Sequence, residues 1–303
     1  MIYDEVIYNY MKSAHHPQVN SILVWDKGEM LAECYFNGCN EMSRHPIKSI
    51  VKSIVSIGIG MAYDEGRLKL DDPIGKYIPE FDEKRDIRHK RIKIEHLLTM
   101  SSGINWRGGV HYHCPMMDAM RKSGKWIDYI ADCAITEVPG TCHNYKEWDV
   151  ILLADILSKV TGDCFDYINE KLYKPLGIQS DRWFKSPDGV YYSVALNEEE
   201  KKSDLTAKEL LSIGILFYQE GIWEDRRLLS KAYIEKAIAP SSQDENYGYL
   251  WWRGKDWYGC RGYGGQTITV FPNMGRIVVT QATATNRPLE YNDVIFELAM
   301  KLA

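Results

Sequence analysis

Between Ser49 and Glu65 the chain carries Ile50, Val51, Ile54, Val55, Ile57, Ile59, Met61 and Ala62, enough apolar side chains to cover most of a helix surface. A helix that is apolar nearly all round has to be buried, and Gly66 stands where such a helix would end. Lys52 breaks the pattern, because an ammonium inside an apolar helix is costly to bury and usually has a reason to be there. The run is interrupted by Lys52, Ser53 and Ser56 and is too short to cross a hydrocarbon layer of about 30 Å. A fold for this chain must wrap a core around this helix and give Lys52 a role.

The flanks show what can do the wrapping. Ser21 to Asp26 and Glu29 to Phe36 are β-rich runs joined by Asp26-Lys27-Gly28, a turn in which glycine accepts a positive φ. Near the other end, Tyr247 to Arg253, Trp257 to Cys260, Thr267 to Phe271 and Arg276 to Ala282 are aromatic and β-branched, with Pro272-Asn273-Met274-Gly275 as the last turn. Between them lie helical patterns over Ile94 to Met100, Trp148 to Val160, Thr206 to Tyr218 and Ser230 to Ala237. Strands at both ends with helices between predict an α/β unit whose antiparallel sheet is completed by both ends of the chain. Residues 1–75 and 190–303 would form it, and residues 76–189 a helical insert.

At 303 residues, with 45% hydrophobic and 26% charged residues, the chain can bury a large core and has ordinary globular usage. Its net charge of -5 supplies no basic field, which argues against nucleic acid as a partner. Seven cysteines without a Cys-x-x-Cys suit reduced thiols, and MIYDEVIYNY lacks the positive start of an export signal, so a cytoplasmic location is expected. The oligomeric state is left open.

Ser49-Ile50-Val51-Lys52 is the only Ser-x-x-Lys in the chain, and on a helix it sets hydroxyl and amine on one face about one turn apart. A serine hydroxyl becomes a useful nucleophile when a neighbouring base takes its proton, and burial can fit a lysine for that task. The plainer reading is a serine capping the helix and a lysine snorkelling to solvent.

Ile47 to Ser53, continuing into Asp64-Glu65-Gly66-Arg67-Leu68-Lys69-Leu70-Asp71-Asp72-Pro73 and Tyr77-Ile78-Pro79-Glu80, resembles the nucleophile segment of class C β-lactamases, family VIII carboxylesterases and related penicillin-binding proteins. His96-Leu97-Leu98-Thr99-Met100-Ser101-Ser102-Gly103 is similar to a second stretch of that family, and Pro139-Gly140-Thr141 with Asn144-Tyr145 to a third. The resemblance runs over nearly the whole chain. It implies the β-lactamase/transpeptidase-like fold, Ser49 as acylated nucleophile, Lys52 as its base, and Tyr145 as a proton carrier whose phenol needs Lys52 as a cationic neighbour. It also implies an oxyanion hole made by the amides of Ser49 and Tyr263.

Two departures qualify the expected substrate. Glu147 stands two after Tyr145, where penicillin-recognising members carry Asn, so an acceptor replaces a side chain that would donate to a substrate amide oxygen. The third motif of the family, Lys-Thr-Gly or His-x-Gly, has no literal copy after Tyr145. The matching strand reads Cys260-Arg261-Gly262-Tyr263-Gly264-Gly265-Gln266, similar to esterase-like and 6-aminohexanoate-dimer-hydrolase-like relatives, with Gly262 and Gly264 allowing close approach of substrate. Lys122-Ser123-Gly124 copies the letters but precedes Tyr145 in a polar segment.

Other residues compete for a role. His111, His113 and Cys114 have side chains that bind zinc, yet no further ligand pair or His-Glu-x-x-His follows, so no metal and no cofactor is expected. The same loop, His113 included, falls where a substrate-facing insert is expected. Trp251, Trp252 and Trp257 are placed to line an acyl pocket or to pack the core. Gly-x-Ser-x-Gly is absent, which removes the usual strand-to-helix elbow of a Ser-His-acid hydrolase. The resulting expectation is a small-molecule ester or amide substrate bound by Glu147, Arg261, Gly262, Gly264, His113 and Trp252. A β-lactam or D-alanyl peptide substrate, or a non-catalytic binding role, stand as alternatives.

Overall fold

The computed structural model describes residues 3–14, 16–108, 114–191, 204–283 and 299. Helix α1 (Asp4–Ala14) is followed by the hairpin β1 (Val19–Asp26) and β2 (Glu29–Tyr35), and then by helix α2 (Ile50–Asp64). The principal helices after it are α3 (Ile94–Leu98), α4 (Pro115–Ser123), α5 (Trp126–Asp132), α6 (Glu147–Thr161), α7 (Cys164–Ile168), α8 (Ala207–Tyr218) and α9 (Lys231–Ile238). Strands β3 (Trp252–Arg253), β4 (Tyr258–Gly262), β5 (Gln266–Phe271) and β6 (Arg276–Ala282) close the sheet. Its order is β2-β1-β6-β5-β4-β3, antiparallel throughout, so the N-terminal hairpin pairs directly with the last strand.

The two faces of this sheet follow the alternation of each strand. Leu23, Trp25, Ile268, Val270, Ile277 and Val279 point into the large core that holds α2 and α8. Ile22, Val24, Phe271 and Val278 point the other way, onto Ile7 and Met11 of α1. Helix α2 is buried from Ile50 to Ala62, as its composition demands, and packs against α6, α7, α9 and β4. It is held close on two sides: a Cβ at Gly58 would stand 2.7 Å from Leu157 of α6, and one at Gly60 would strike the Tyr233 ring of α9.

Turn and cap chemistry set most boundaries. Lys27 and Gly28 both take positive φ in the β1–β2 turn, and Gly66 takes φ 70° after α2. Thr206 caps α8 in a reciprocal pair with Glu209, and Ser230 caps α9 through the Tyr233 amide. Two expectations change. The strand expected from Tyr247 to Arg253 shrinks to Trp252–Arg253, because Leu250 adopts φ 61° and turns the chain so that its amide bonds the Leu98 carbonyl. Helix α1, not anticipated, is driven by Ile7 and Met11 one turn apart.

Candidate active site

The first turn of α2 holds the centre. Ser49 has helical backbone angles, its side chain makes no capping hydrogen bond, and Lys52 Nζ donates to its Oγ over 3.1 Å. The cap-and-snorkel reading therefore fails: Lys52 is only 1% exposed and is spent on the serine. Lys48, immediately before Ser49, is held at φ 51°, a left-handed conformation that a side chain adopts at a cost. The strain turns the chain sharply into the helix, leaving Ser49 at 8% exposure where the helix begins.

A second carrier is the segment entering α6. Gly140 at φ 84° lies so close to His96 that a Cβ would stand 2.7 Å from its Nε2, the Gly140 amide bonds the Ser101 carbonyl, and the Asn144 amide bonds the Met100 carbonyl. The second and third segments of the sequence resemblance are thus clasped together, and the clasp delivers Tyr145 beside Ser49. Behind them, buried Lys146 donates to Ser102 Oγ (3.3 Å) and the Ile104 carbonyl (3.2 Å), and Ser102 Oγ donates to Asp149 (2.6 Å). This network fixes the first turn of α6 to the Ser101–Gly103 loop.

Tyr145 lies beside Ser49, stacks on Trp252 at 5.8 Å and meets Tyr247 edge-on at 6.2 Å. Burial pushes its phenol well above the ordinary value, the Glu147 carboxylate adds to this, and the nearby Ser49 pulls weakly the other way. Lys52 Nζ lies over the Tyr145 ring, 5.2 Å from its centre, as a cation on a π face. Burial thus favours the protonated phenol, and Lys52 is its neighbour.

Glu147 opens α6 and reaches back to Lys52: its Oε1 accepts from Nζ over 2.7 Å, with the two side chains 6% and 1% exposed. Apolar surroundings were expected for Lys52, and a carboxylate partner is found. Sequence reasoning had the residue but not this contact, which spans 95 positions.

Trp252 forms a wall beside Tyr145. Gly262 ends β4 so near the segment leading to Ser49 that a Cβ would collide with the Ile47 carbonyl oxygen, and Gly264 and Gly265 take φ 88° and 109° in the turn carrying the exposed Tyr263. Arg261, next to the core-facing Cys260, donates to Thr269 Oγ1 over 2.6 Å and stacks on Trp257. His111 and His113 lie outside the described residues, Cys114 is buried, and no cluster of three or more metal-ligating side chains occurs among the described residues. No helix among those residues is long and apolar enough to cross a membrane.

A family model described as Beta-lactamase matches residues 4–215. The D-alanyl-D-alanine-carboxypeptidase/endopeptidase AmpH of Escherichia coli (strain K12) is 26% identical over 144 residues, which are 47% of this chain and 37% of that protein. The chain thus spans little more than a third of this curated relative. Among solved structures, the penicillin binding protein from Bacillus halodurans superposes with a TM-score of 0.74 at 18% identity, covering 97% of this chain and 99% of that one. A D-stereospecific amidohydrolase from Streptomyces sp. gives 0.72 at 18% identity, covering 96% and 97%. The architecture is therefore the β-lactamase/transpeptidase-like fold.

Proposed function

Since the chain belongs to the β-lactamase family, we propose that it is a serine hydrolase that forms an acyl-enzyme on Ser49 and cleaves a small ester or amide. One observation carries the reading: Lys52 Nζ lies between Ser49 Oγ at 3.1 Å and a carboxylate at 2.7 Å in a buried site. That arrangement suits the removal of a serine proton, which a solvent-facing lysine does not. Ser49 attacks the carbonyl as Lys52 takes its proton, and Tyr145 protonates the leaving group. The Ser49 amide, at the start of a 15-residue helix, and the Tyr263 amide hold the oxyanion. Trp252 lines the acyl side. Water then releases the acid.

Glu147 argues for esters and simple amides over β-lactams, because the site that would donate to a substrate amide oxygen offers an acceptor engaged with Lys52. A fluorophosphonate is expected to add to Ser49, read by intact mass. Across short acyl esters, linear amides and a chromogenic cephalosporin, ester turnover should lead the cephalosporin by roughly 10²-fold. Fast turnover of the cephalosporin alone would favour a β-lactamase or D-alanyl peptidase, and a folded protein with no adduct would favour a binding role. All seven cysteines are free, which supports a reducing compartment such as the cytosol.

Gly262 offers a separate check on the oxyanion hole. An alanine there must move β4 away from the Ile47 carbonyl and take the Tyr263 amide with it. Gly262→Ala should lower kcat on the preferred ester by about 10²-fold, the usual loss for one oxyanion donor. A kcat within a few-fold of the parent would remove Tyr263 from the site.

A further inference from the structure

Lysine as an ammonium has three donors and no acceptor, so Lys52 can take the Ser49 proton only as it gives one up. The family's usual Asn could not receive that proton, whereas Glu147 can. Its Oε1 touches Nζ, and its Oε2 has no hydrogen-bond partner among the described residues, so no other donor competes for the carboxylate. The groups facing it are Lys52 from α2, Tyr145 from the entering segment and Tyr247 from the loop before β3, with Lys146 and Asp149 adjacent on its own helix. Both tyrosines are held in the neutral form by burial first and by charge near them second. Lys146 is committed to Ser102 and Ile104, and Asp149 to Ser102. Lys52 is therefore the group that exchanges protons with Glu147.

We propose that Glu147 is the proton acceptor behind Lys52, making Ser49, Lys52 and Glu147 a three-member relay. The inference rests on the serine hydrolase reading. In acylation the Ser49 Oγ–carbon bond forms and the carbonyl π pair moves to its oxygen. The Oγ proton passes to Lys52 Nζ as one Nζ proton passes to Glu147 Oε1. Collapse breaks the bond to the leaving group, which takes a proton from the Tyr145 hydroxyl. Lys52 re-protonates Tyr145, and Glu147 returns its proton to Lys52. Water repeats the cycle in deacylation, its proton entering at Lys52 while Ser49 Oγ departs and is re-protonated through Tyr145.

Glu147→Gln keeps the shape and the acceptor oxygen but cannot be protonated there. With a p-nitrophenyl ester its kcat at neutral pH should fall about 10²-fold with KM within threefold. Its rate should climb with pH where the parent's is level, because Lys52 must then lose a proton to solvent. A kcat within threefold, or a raised KM with a pH profile parallel to the parent's, would overturn the relay. Should the variant fail to fold, the burst rate of the unmodified protein in mixed H2O and D2O decides: a bowed dependence on deuterium fraction is expected, and a straight line overturns the relay. Fluorophosphonate labelling of Ser49 separates the two failures. A labelled protein with a straight line loses only the relay, whereas an unlabelled one loses the hydrolase reading too.

Discussion

Ser49→Ala should give a folded protein that takes up no fluorophosphonate and turns over its ester roughly 10⁴-fold more slowly, leaving only what binding and an oxyanion hole supply. The expectation follows because the Ser49 side chain makes no helix cap, and Lys52, which donates to it, keeps Glu147 as its buried partner without it. Losing the hydroxyl should therefore remove the proposed nucleophile without uncapping α2. Thermal unfolding within a few degrees of the parent, together with absence of the mass adduct, would check both halves. Persistent labelling of the variant would move the nucleophile elsewhere.

Lys52→Met should cost stability as well as activity, because it breaks two things at once. Acylation should fall by about 10³-fold with the loss of the proton acceptor. Stability should fall by about 3–5 kcal/mol, since Glu147 is left as a buried carboxylate without its cation. The double variant Lys52→Met/Glu147→Leu separates them: replacing both ends of a buried pair by apolar groups should return most of the stability and none of the activity. Urea unfolding and ester kinetics on the three proteins would show it. If Lys52→Met unfolds at the parent's urea midpoint, the pair is not buried as described.

The Ser49–Lys52 contact was legible because both residues lie within one helical turn, where spacing alone determines proximity, and because a lysine in an apolar run conflicts with burial. The hairpin and the starts of α8 and α9 were legible for the same local reason, through Gly28, Thr206 and Ser230. What escaped was non-local. The Lys52–Glu147 pair joins two helices, and the sequence showed Glu147 only as an exchanged residue after Tyr145. The Lys146–Ser102–Asp149 network joins a loop to a helix and left no periodic trace. Arg261 was read from its place in the motif, which does not register its bond to Thr269 on the neighbouring strand. Tyr247 to Arg253 was read as a strand on composition, which does not register the backward turn at Leu250.

The burial of α2 on every side has an outcome for how this protein loses activity. Leu157, Ile168 and Tyr233 crowd the helix at Gly58 and Gly60, and Lys52 lies buried in its first turn. The residues that meet there come from three stretches more than 90 positions apart, and they coincide only while the whole interior is intact. Heat or denaturant therefore has no gentle way of disarming the site first; inactivation and melting of the interior become one cooperative event, and no fragment of the chain inherits the chemistry.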